Sequence, residues 1–413
     1  MGPKNLSSAC RICGTTLEHT FVDLGMSPLC ESYLPVERLN DPEVFYPLHV
    51  FVCERCFLVQ LQEYVGPEAI FSEYAYFSSY SETWLEHARK YTDRVVERFG
   101  IGAGSLVVEL ASNDGYLLRN FVARGIPVLG VEPAANVAEV AVRQGVRTRV
   151  AFFGRALAEL LAREAQADLI VANNVLAQVP DLNDFVAGIR TLLKTGGVVT
   201  VEFPHLLQLV RENQFDTIYH EHFSYFSFIT AESLFAAHDL VVFDVEELST
   251  HGGSLRVYAR HRDDASKPVT ERVVALRARE IDEGLGRVES YARFAEQVRQ
   301  TKWQLLDFLI AAKREGKSIV GYGAPGKGNT LLNYCGIRTD FLDYTVDKNP
   351  YKLGKFTPGT HIPIFTPEKI LETKPDFVLI LPWNIKDEII RQMAAVATWG
   401  GRFVVPIPVL TVL

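Results

Sequence analysis

Four cysteines in two pairs, Cys10-x-x-Cys13 and Cys53-x-x-Cys56, constrain this chain more than any other feature. A two-residue spacer lets both thiolates of one turn reach the same ion, and tetrahedral zinc takes four soft or borderline ligands. Gly14, directly after Cys13, suits the tight turn of such a knuckle. The 39 residues between the pairs loop out at little topological cost. With four thiolate ligands no coordination position is left for a substrate, so the zinc is expected to be structural. The competing reading is a redox pair. That wants a CxxC opening a helix in a thioredoxin-like unit, which the pattern here lacks. Cys30 and Cys335 read as packed thiols.

A chain of 413 residues is too long for one ordinary core. Three zones separate by pattern. Residues 1–85 are loop-rich and aromatic and form the expected zinc-binding domain. Residues 86–262 alternate short apolar runs with amphipathic segments, with strands expected at 105–110, 128–132, 169–172 and 197–202. That alternation predicts an α/β domain with a parallel sheet, closed by an antiparallel pair at 240–245 and 254–260. Residues 263–413 open with helices over about 267–315 and continue into a second Rossmann-like unit, with strands at 318–322, 341–346, 377–381 and 402–406. A polar linker is expected at 260–268.

The formal net charge is −8, from 42 basic and 50 acidic residues, which argues against a nucleic-acid partner. No apolar run is long enough for a membrane-spanning helix. The opening residues, Met1-Gly2-Pro3-Lys4, do not read as a secretion leader. The expected location is the cytoplasm, where reduced cysteines serve as ligands rather than disulfides. The sequence leaves the oligomeric state open and is compatible with a monomer.

The first strand of the middle zone runs into Glu109, Ser112, Asn113, Asp114 and Gly115 (ELASNDG) and then a helix. Small residues there let the backbone approach a ligand at the carboxyl end of the strand. Acidic residues suit a ligand carrying an ammonium and a sulfonium, such as S-adenosylmethionine, and would repel a pyrophosphate. Glu132 ends the next strand, where a carboxylate can hold ribose hydroxyls. Phe152 and Phe153 follow the third strand and are candidates to sandwich adenine. Asn173 and Asn174 end the fourth, facing the methionine portion. A nucleotide-free α/β domain is the alternative.

Residues 215–227 (FDTIYHEHFSYFS) are the densest run of reactive side chains. Histidine is the usual general base near neutral pH. The spacing Tyr219-x-x-His222 predicts that the two share a face of a helical turn, with His220 on another face. A metal site at His220-x-His222 and a polar surface helix are the alternatives. Tyr74–Ser79 contains a second aromatic-hydroxyl cluster, and His251-Gly-Gly-Ser254 opens the last strand of the middle zone.

Gly321-Tyr-Gly323-Ala-Pro-Gly326 follows a strand, and Asp347 ends the next one. On paper this is a dinucleotide fingerprint, so a nucleotide-sugar oxidoreductase must be weighed. Lys327 directly after it points instead to a phosphate or sugar-diphosphate contact. Trp383 and Asn384, after a later strand, would add a stacking face and hydrogen bonds.

Taken together, these residues resemble the sugar C-methyltransferases that act on nucleotide-linked 4-keto-6-deoxy sugars, among them the tetronitrose, mycarose and noviose C-methyltransferases. The CxxC pairs, ASNDG at 111–115, residues 215–227, HGGS at 251–254 and GYGA at 321–324 carry the resemblance, which covers nearly the whole chain. It implies a zinc-binding N-terminal domain, a class I S-adenosylmethionine methyltransferase middle domain and a Rossmann-like C-terminal domain. The sugar nucleotide would sit between the last two, and S-adenosylhomocysteine would be the second product. It implies His222 as general base, with Tyr219, Glu221 and Tyr76 beside it, and His251, Gly323, Lys327, Trp383 and Asn384 as candidate substrate contacts. Gln178 stands where relatives often have histidine, and Ala151 where they often have aspartate before the Phe-Phe pair. The implied reaction methylates C3, beside the C4 ketone of a dTDP-linked sugar, through a base-generated enolate. Methylation of C5, of another small ketone, of RNA, or S-adenosylmethionine sensing without catalysis are the other readings.

Overall fold

The computed structural model describes residues 9–71, 78–80 and 82–413. In chain order its first strands are β1 (His19–Ser27), β2 (Tyr46–Val52), β3 (Val59–Leu61), β4 (Val107–Leu110), β5 (Val128–Glu132) and β6 (Thr148–Val150). Then come β7 (Ala167–Asn173), β8 (Leu193–Pro204), β9 (Ser224–Tyr225), β10 (Leu240–Leu248) and β11 (Ser254–His261). The last are β12 (Ile319–Tyr322), β13 (Thr345–Val346), β14 (Ile364–Phe365), β15 (Phe377–Ile380), β16 (Arg402–Val405) and β17 (Thr411–Val412). The chain forms two compact units. One takes in the chain up to Leu17, Cys53–Leu206 and Phe223–Arg287; the other takes in Glu18–Val52, Leu207–His222 and Val288–Leu413.

The first unit is built on a seven-stranded sheet ordered β10-β11-β8-β7-β4-β5-β6. Its strands from β4 to β8 run parallel, and β11 enters antiparallel to both β8 and β10. Every residue of β4 and β5 is buried, as expected of parallel strands covered on both faces. Val107, Leu169, Val171 and Val198 pack against Tyr91, Val95, Leu117 and Phe121 to form the core. From β4 the chain goes to β5 on one side and later to β7 on the other. The carboxyl end of β4 is therefore the switch point where open α/β sheets bind ligands.

A buried charge network ties the helix Glu82–Phe99 to this sheet. Glu202 of β8 accepts from Arg256 Nη2 of β11 at 2.6 Å and from Thr250 Oγ1 at 3.0 Å, and His87 Nε2 lies 3.0 Å from it. The Arg256 guanidinium also lies 4.5 Å from the centre of the Tyr91 ring. Burial pushes the Glu202 carboxyl up, but the His87 hydrogen bond and the Arg256 charge outweigh it and hold it at about 2. Its contribution to stability is therefore complete above the unfolded carboxyl range and is lost as pH falls from ~4 toward 2. Arg256→Leu leaves that carboxylate buried without its guanidinium partner. It is expected to cost about 3–5 kcal/mol in urea unfolding and to move the acid limb of stability to higher pH.

The second unit holds a sheet ordered β14-β13-β12-β15-β16-β17, parallel except for β17. It also holds the antiparallel hairpin β1–β2. Phe21 of β1 stacks on Phe294 of the helix Arg293–Arg314 at 4.5 Å, and Leu34 and Phe356 exchange backbone hydrogen bonds. The hairpin lies in the stretch read as loop-rich. Register shifts after Thr20 and Asp23 break the two-residue alternation that would have marked β1.

The expected strands are present, β5 at its expected bounds and the others with shifted ends, save one. Residues 341–346 supply only Thr345–Val346, because the amides of Phe341 and Leu342 both turn back to the Arg338 carbonyl. The polar stretch 260–268 is a tied turn, with Arg260 Nε donating to the Lys267 carbonyl at 2.8 Å. The helical stretch after it divides. Helix Glu271–Asp282 belongs to the first unit, where Glu280 accepts from the amides of Phe228 and Ile229 and lies 2.7 Å from His205 Nε2. Helix Arg293–Arg314 belongs to the second. Among the described residues no helix is long and apolar enough to cross a membrane.

Candidate active site

The four knuckle cysteines converge. Their sulfurs all lie within 4.8 Å of one another, with Cys10–Cys56 at 3.3 Å and Cys13–Cys53 at 3.5 Å. Tetrahedral zinc with ~2.3 Å bonds needs sulfurs about 3.8 Å apart, so the set fits the ion. Both turns are built alike. The amide of Gly14 bonds the Cys10 carbonyl and that of Phe57 bonds the Cys53 carbonyl, and both residues sit at positive φ. Gln60 Nε2 donates to Cys10 Sγ at 3.3 Å. The hydrogen bond from Cys56 holds the Cys10 thiol well below its usual range, while that same bond and burial hold Cys56 up. A dication relieves such crowding of thiolates. The knuckle also grips the chain just past His222. Arg11 Nη1 donates to the Phe223 carbonyl, Thr230 Oγ1 donates to the Cys56 carbonyl, and β3 pairs with β9.

At the switch point, Glu109, Asp114 and Glu132 bring three buried carboxylates to the carboxyl ends of β4 and β5. Burial pushes Glu109 well above the carboxylate range, and the charges of Glu132 and Asp114 raise it further. Among the described residues, Glu109 Oε2, Ser112 Oγ, Asp114 Oδ1, Asn173 Oδ1 and both polar atoms of the Asn174 side chain are buried without a hydrogen-bond partner. Ala111, Asn113 and Asn174 hold positive φ. Orphaned polar atoms and left-handed backbone mark a place shaped for a ligand. Gly130 is required on β5, since a Cβ there would collide with Ser112 Oγ. An ammonium and a sulfonium match the acidic surroundings, so the residues present fit S-adenosylmethionine.

The structure adds detail at two of the expected cofactor positions. Glu132 already accepts from the amides of Asn113 and Ala134, both at 2.9 Å, so it braces the loop and keeps one lone pair per oxygen for a ribose hydroxyl. Phe152 and Phe153 differ in their surroundings. Phe153 packs edge-on against Phe185 at 5.4 Å, leaving Phe152 as the exposed ring. His251, exposed and at positive φ, sits 5.1 Å from the ring of Trp84.

The acid–base run is a turn, not a helix. Residues 215–217 form a single 3-10 turn, and the His222 amide then bonds the Tyr219 carbonyl at 2.9 Å. The expected pairing survives this change, because the Tyr219 and His222 rings lie 4.2 Å apart. His222 Nδ1 is 3.0 Å from the Thr217 carbonyl. A carbonyl only accepts, so Nδ1 carries the proton and Nε2 the lone pair. His220 turns elsewhere. It is buried against Tyr46, its Nε2 lies 3.2 Å from the Pro47 carbonyl, and burial lowers its pKa. The two histidines share no ligand geometry, and the described cluster of metal-binding side chains is the cysteine set. Glu221 is buried and accepts from the Cys30 thiol at 3.7 Å.

The glycine-rich loop after β12 has Gly323 at positive φ, with Pro382 Cδ 2.5 Å from where a Cβ would stand. It does not offer a dinucleotide site. Both Asp347 oxygens accept backbone amides, from Ala324 and Asn349 at 2.8 Å. The Ala324 carbonyl accepts from Tyr33 Oη at 2.5 Å and Lys352 Nζ at 2.8 Å. Cys30 Sγ lies 3.0 Å from a Cβ built on Gly326, so residue 30 packs directly against the start of the helix Gly326–Cys335. Nearby, Lys327 Nζ donates to Asn384 Oδ1 at 2.9 Å and lies 4.7 Å from the Trp383 ring centre. Trp383 Nε1 donates to Asp216 at 2.7 Å. Lys327, Trp383 and Asn384 thus come together as read from the sequence, joined by an unread residue, Asp216. Its position six residues before His222, in a run otherwise rich in acid–base groups, was the available signal. The Glu202–Arg256–His87 network left none. Tyr76 and the rest of residues 72–77 lie outside the described residues.

Models of three domain families match the chain: a zinc binding domain over residues 10–71, a methyltransferase domain over 84–245 and a C-methyltransferase C-terminal domain over 249–408. The C-methyltransferase NovU of Streptomyces niveus is 38% identical over 400 residues, covering 97% of this chain and 95% of that protein. Among solved structures, an S-adenosylmethionine-dependent methyltransferase from Mesorhizobium loti aligns at 15% identity and TM-score 0.35. That alignment covers 43% of this chain and all of the other. The DhpI–S-adenosylhomocysteine complex aligns at 20% identity and TM-score 0.33, over 45% of this chain and 91% of the other. The assignment rests on the full-length relative and the domain models rather than on these partial alignments. The chain belongs to the C-methyltransferase family: it is an S-adenosylmethionine-dependent C-methyltransferase with an N-terminal zinc-binding domain.

Proposed function

We propose that this enzyme methylates C3 of a dTDP-linked 4-keto-6-deoxy sugar in a cytoplasmic deoxysugar pathway, with His222 as the general base. The observation that carries this reading is the His222 Nδ1–Thr217 carbonyl contact, which orients the imidazole beside the Tyr219 ring, 4.2 Å away. A C4 ketone acidifies the neighbouring C3–H. His222 Nε2 takes that proton, and the enolate oxygen is stabilised by hydroxyl donors such as Tyr219 or Tyr76. Glu221 orients this segment from its buried position beside Cys30. S-adenosylmethionine supplies an electrophilic methyl group with a good leaving group, so C3 attacks without metal assistance. The Glu109–Gly115 loop, Glu132, Phe152, Phe153, Asn173 and Asn174 hold the cofactor; His251, Gly323, Lys327, Trp383 and Asn384 hold the substrate. The acidic net charge supports a small-molecule partner rather than a nucleic acid.

The proton-abstraction step can be isolated. With S-adenosylhomocysteine in place of the methyl donor, the keto-sugar in deuterated water should gain one deuterium at C3, read by NMR. Exchange at C5 alone would move the reaction to the other side of the ketone. The loop assignment has its own test. Glu132→Ala strips two buried amides of their acceptor and should weaken S-adenosylmethionine binding about tenfold or more by calorimetry, given ~1–3 kcal/mol for unmade buried hydrogen bonds. Unchanged affinity would remove Glu132 from the site.

A further inference from the structure

Asp216 is the one fully buried carboxylate in the reactive run, and nothing in the mechanism above uses it. Its Oδ2 accepts from Trp383 Nε1 at 2.7 Å. Its Oδ1 is buried and has no partner among the described residues. The groups that act on it come from two elements of the second unit. Lys327 belongs to the helix Gly326–Cys335 and draws the carboxyl down, and the Trp383 indole follows β15. The Cys335 thiol, on the same helix as Lys327, is pushed to about 12 chiefly by burial, with Asp216 adding to it, so it stays neutral. Burial pushes Asp216 itself up to about 6, which leaves it ionised at neutral pH and above.

Lys327 has the converse problem. Its surroundings lower its pKa by desolvation, and Asp216 is the charge that raises it. The ammonium is also fixed in place, over the Trp383 ring at 4.7 Å and against Asn384 Oδ1 at 2.9 Å. We propose that Asp216 is a positioning residue for the substrate's diphosphate: it keeps the Lys327 ammonium charged and pins the Trp383 ring over which that ammonium sits. The inference rests on the reading of Lys327 as a diphosphate contact. A lysine that is desolvated to lie on an indole needs a buried counter-charge to remain a cation, and Asp216 is that charge.

Asp216→Asn tests the charge alone, since the amide oxygen can still accept from Trp383 Nε1. The full-length protein is titrated with dTDP by calorimetry from pH 6.5 to 10, as wild type, Asp216→Asn and Lys327→Met. The ligand's own titration is common to all three. Wild-type affinity should fall on an alkaline limb set by Lys327. In Asp216→Asn that limb should move to lower pH, so that affinity above it drops about tenfold, while S-adenosylmethionine binds as before. A purely structural role for Asp216 would not move the limb. If Asp216→Asn does not accumulate as folded protein, Asp216→Ser replaces it. An unmoved limb in a folded Asp216 variant, with binding lost in Lys327→Met, overturns the inference and leaves the diphosphate contact standing. Wild-type dTDP binding in Lys327→Met overturns that contact as well.

Discussion

His222→Asn is expected to cut turnover by ~10²–10⁴, the usual worth of a positioned acid–base group, while leaving S-adenosylmethionine affinity unchanged. The two effects separate because the groups that fit the cofactor belong to the ends of β4, β5 and β7, not to the turn that carries His222. The imidazole is oriented by its own neighbourhood: the Thr217 carbonyl accepts from Nδ1, and the Tyr219 ring lies tilted beside it at 4.2 Å. That turn is in turn anchored, since Thr330 Oγ1 donates to the Ile218 carbonyl at 3.0 Å and Trp383 bonds Asp216. Steady-state kinetics with a keto-sugar and calorimetry with the cofactor check both halves. Turnover within a factor of a few of wild type would take His222 out of the mechanism.

Cys53→Ser is expected to abolish stoichiometric zinc and to lower thermal stability by on the order of 10 °C or more, since structural zinc sites contribute many kcal/mol to their domains. The loss should reach activity too. Arg11 and β3 brace Phe223 to Tyr225, directly after the proposed base, and Asn183 Nδ2 ties the Arg11 and Ile12 carbonyls to the methyltransferase sheet's own helix Leu182–Leu192. Metal analysis, a melting curve and turnover on the purified variant provide the check. Full zinc content with an unchanged melting temperature would show that the four sulfurs are not its ligands.

Much of the parallel core was legible because burial on both faces writes a continuous apolar run. β5 falls on residues 128–132 as read, and β10–β11 pair antiparallel as expected. Local patterns failed where a distant segment decides the outcome. The glycine-rich loop after β12 meets a dinucleotide fingerprint residue by residue, yet Tyr33 reaches it from 291 positions away and Asp347 is spent on backbone amides. Phe153, which reads like an adenine platform, packs edge-on against Phe185 of the helix Leu182–Leu192, a contact no local pattern announces. The Tyr219–His222 pairing was read for the wrong reason. Helical spacing suggested it, and a turn closed by the His222 amide delivers it. The pairing of Glu202 with Arg256, and of Asp216 with Trp383, leaves no trace in the sequence, because a buried ion or hydrogen-bond pair has no periodicity. Only the fold reveals which charges have left water.

The central claim is carbon methylation beside a sugar ketone through an enolate, and one incubation tests it directly. The protein, S-adenosylmethionine and a dTDP-4-keto-6-deoxyhexose are mixed in deuterated water and the products are read by mass spectrometry. The account predicts S-adenosylhomocysteine and a sugar nucleotide heavier by one methylene unit, with recovered substrate carrying deuterium next to the ketone. Methyl transfer to a sugar oxygen, or carbon methylation of a substrate that has no neighbouring ketone, would contradict it.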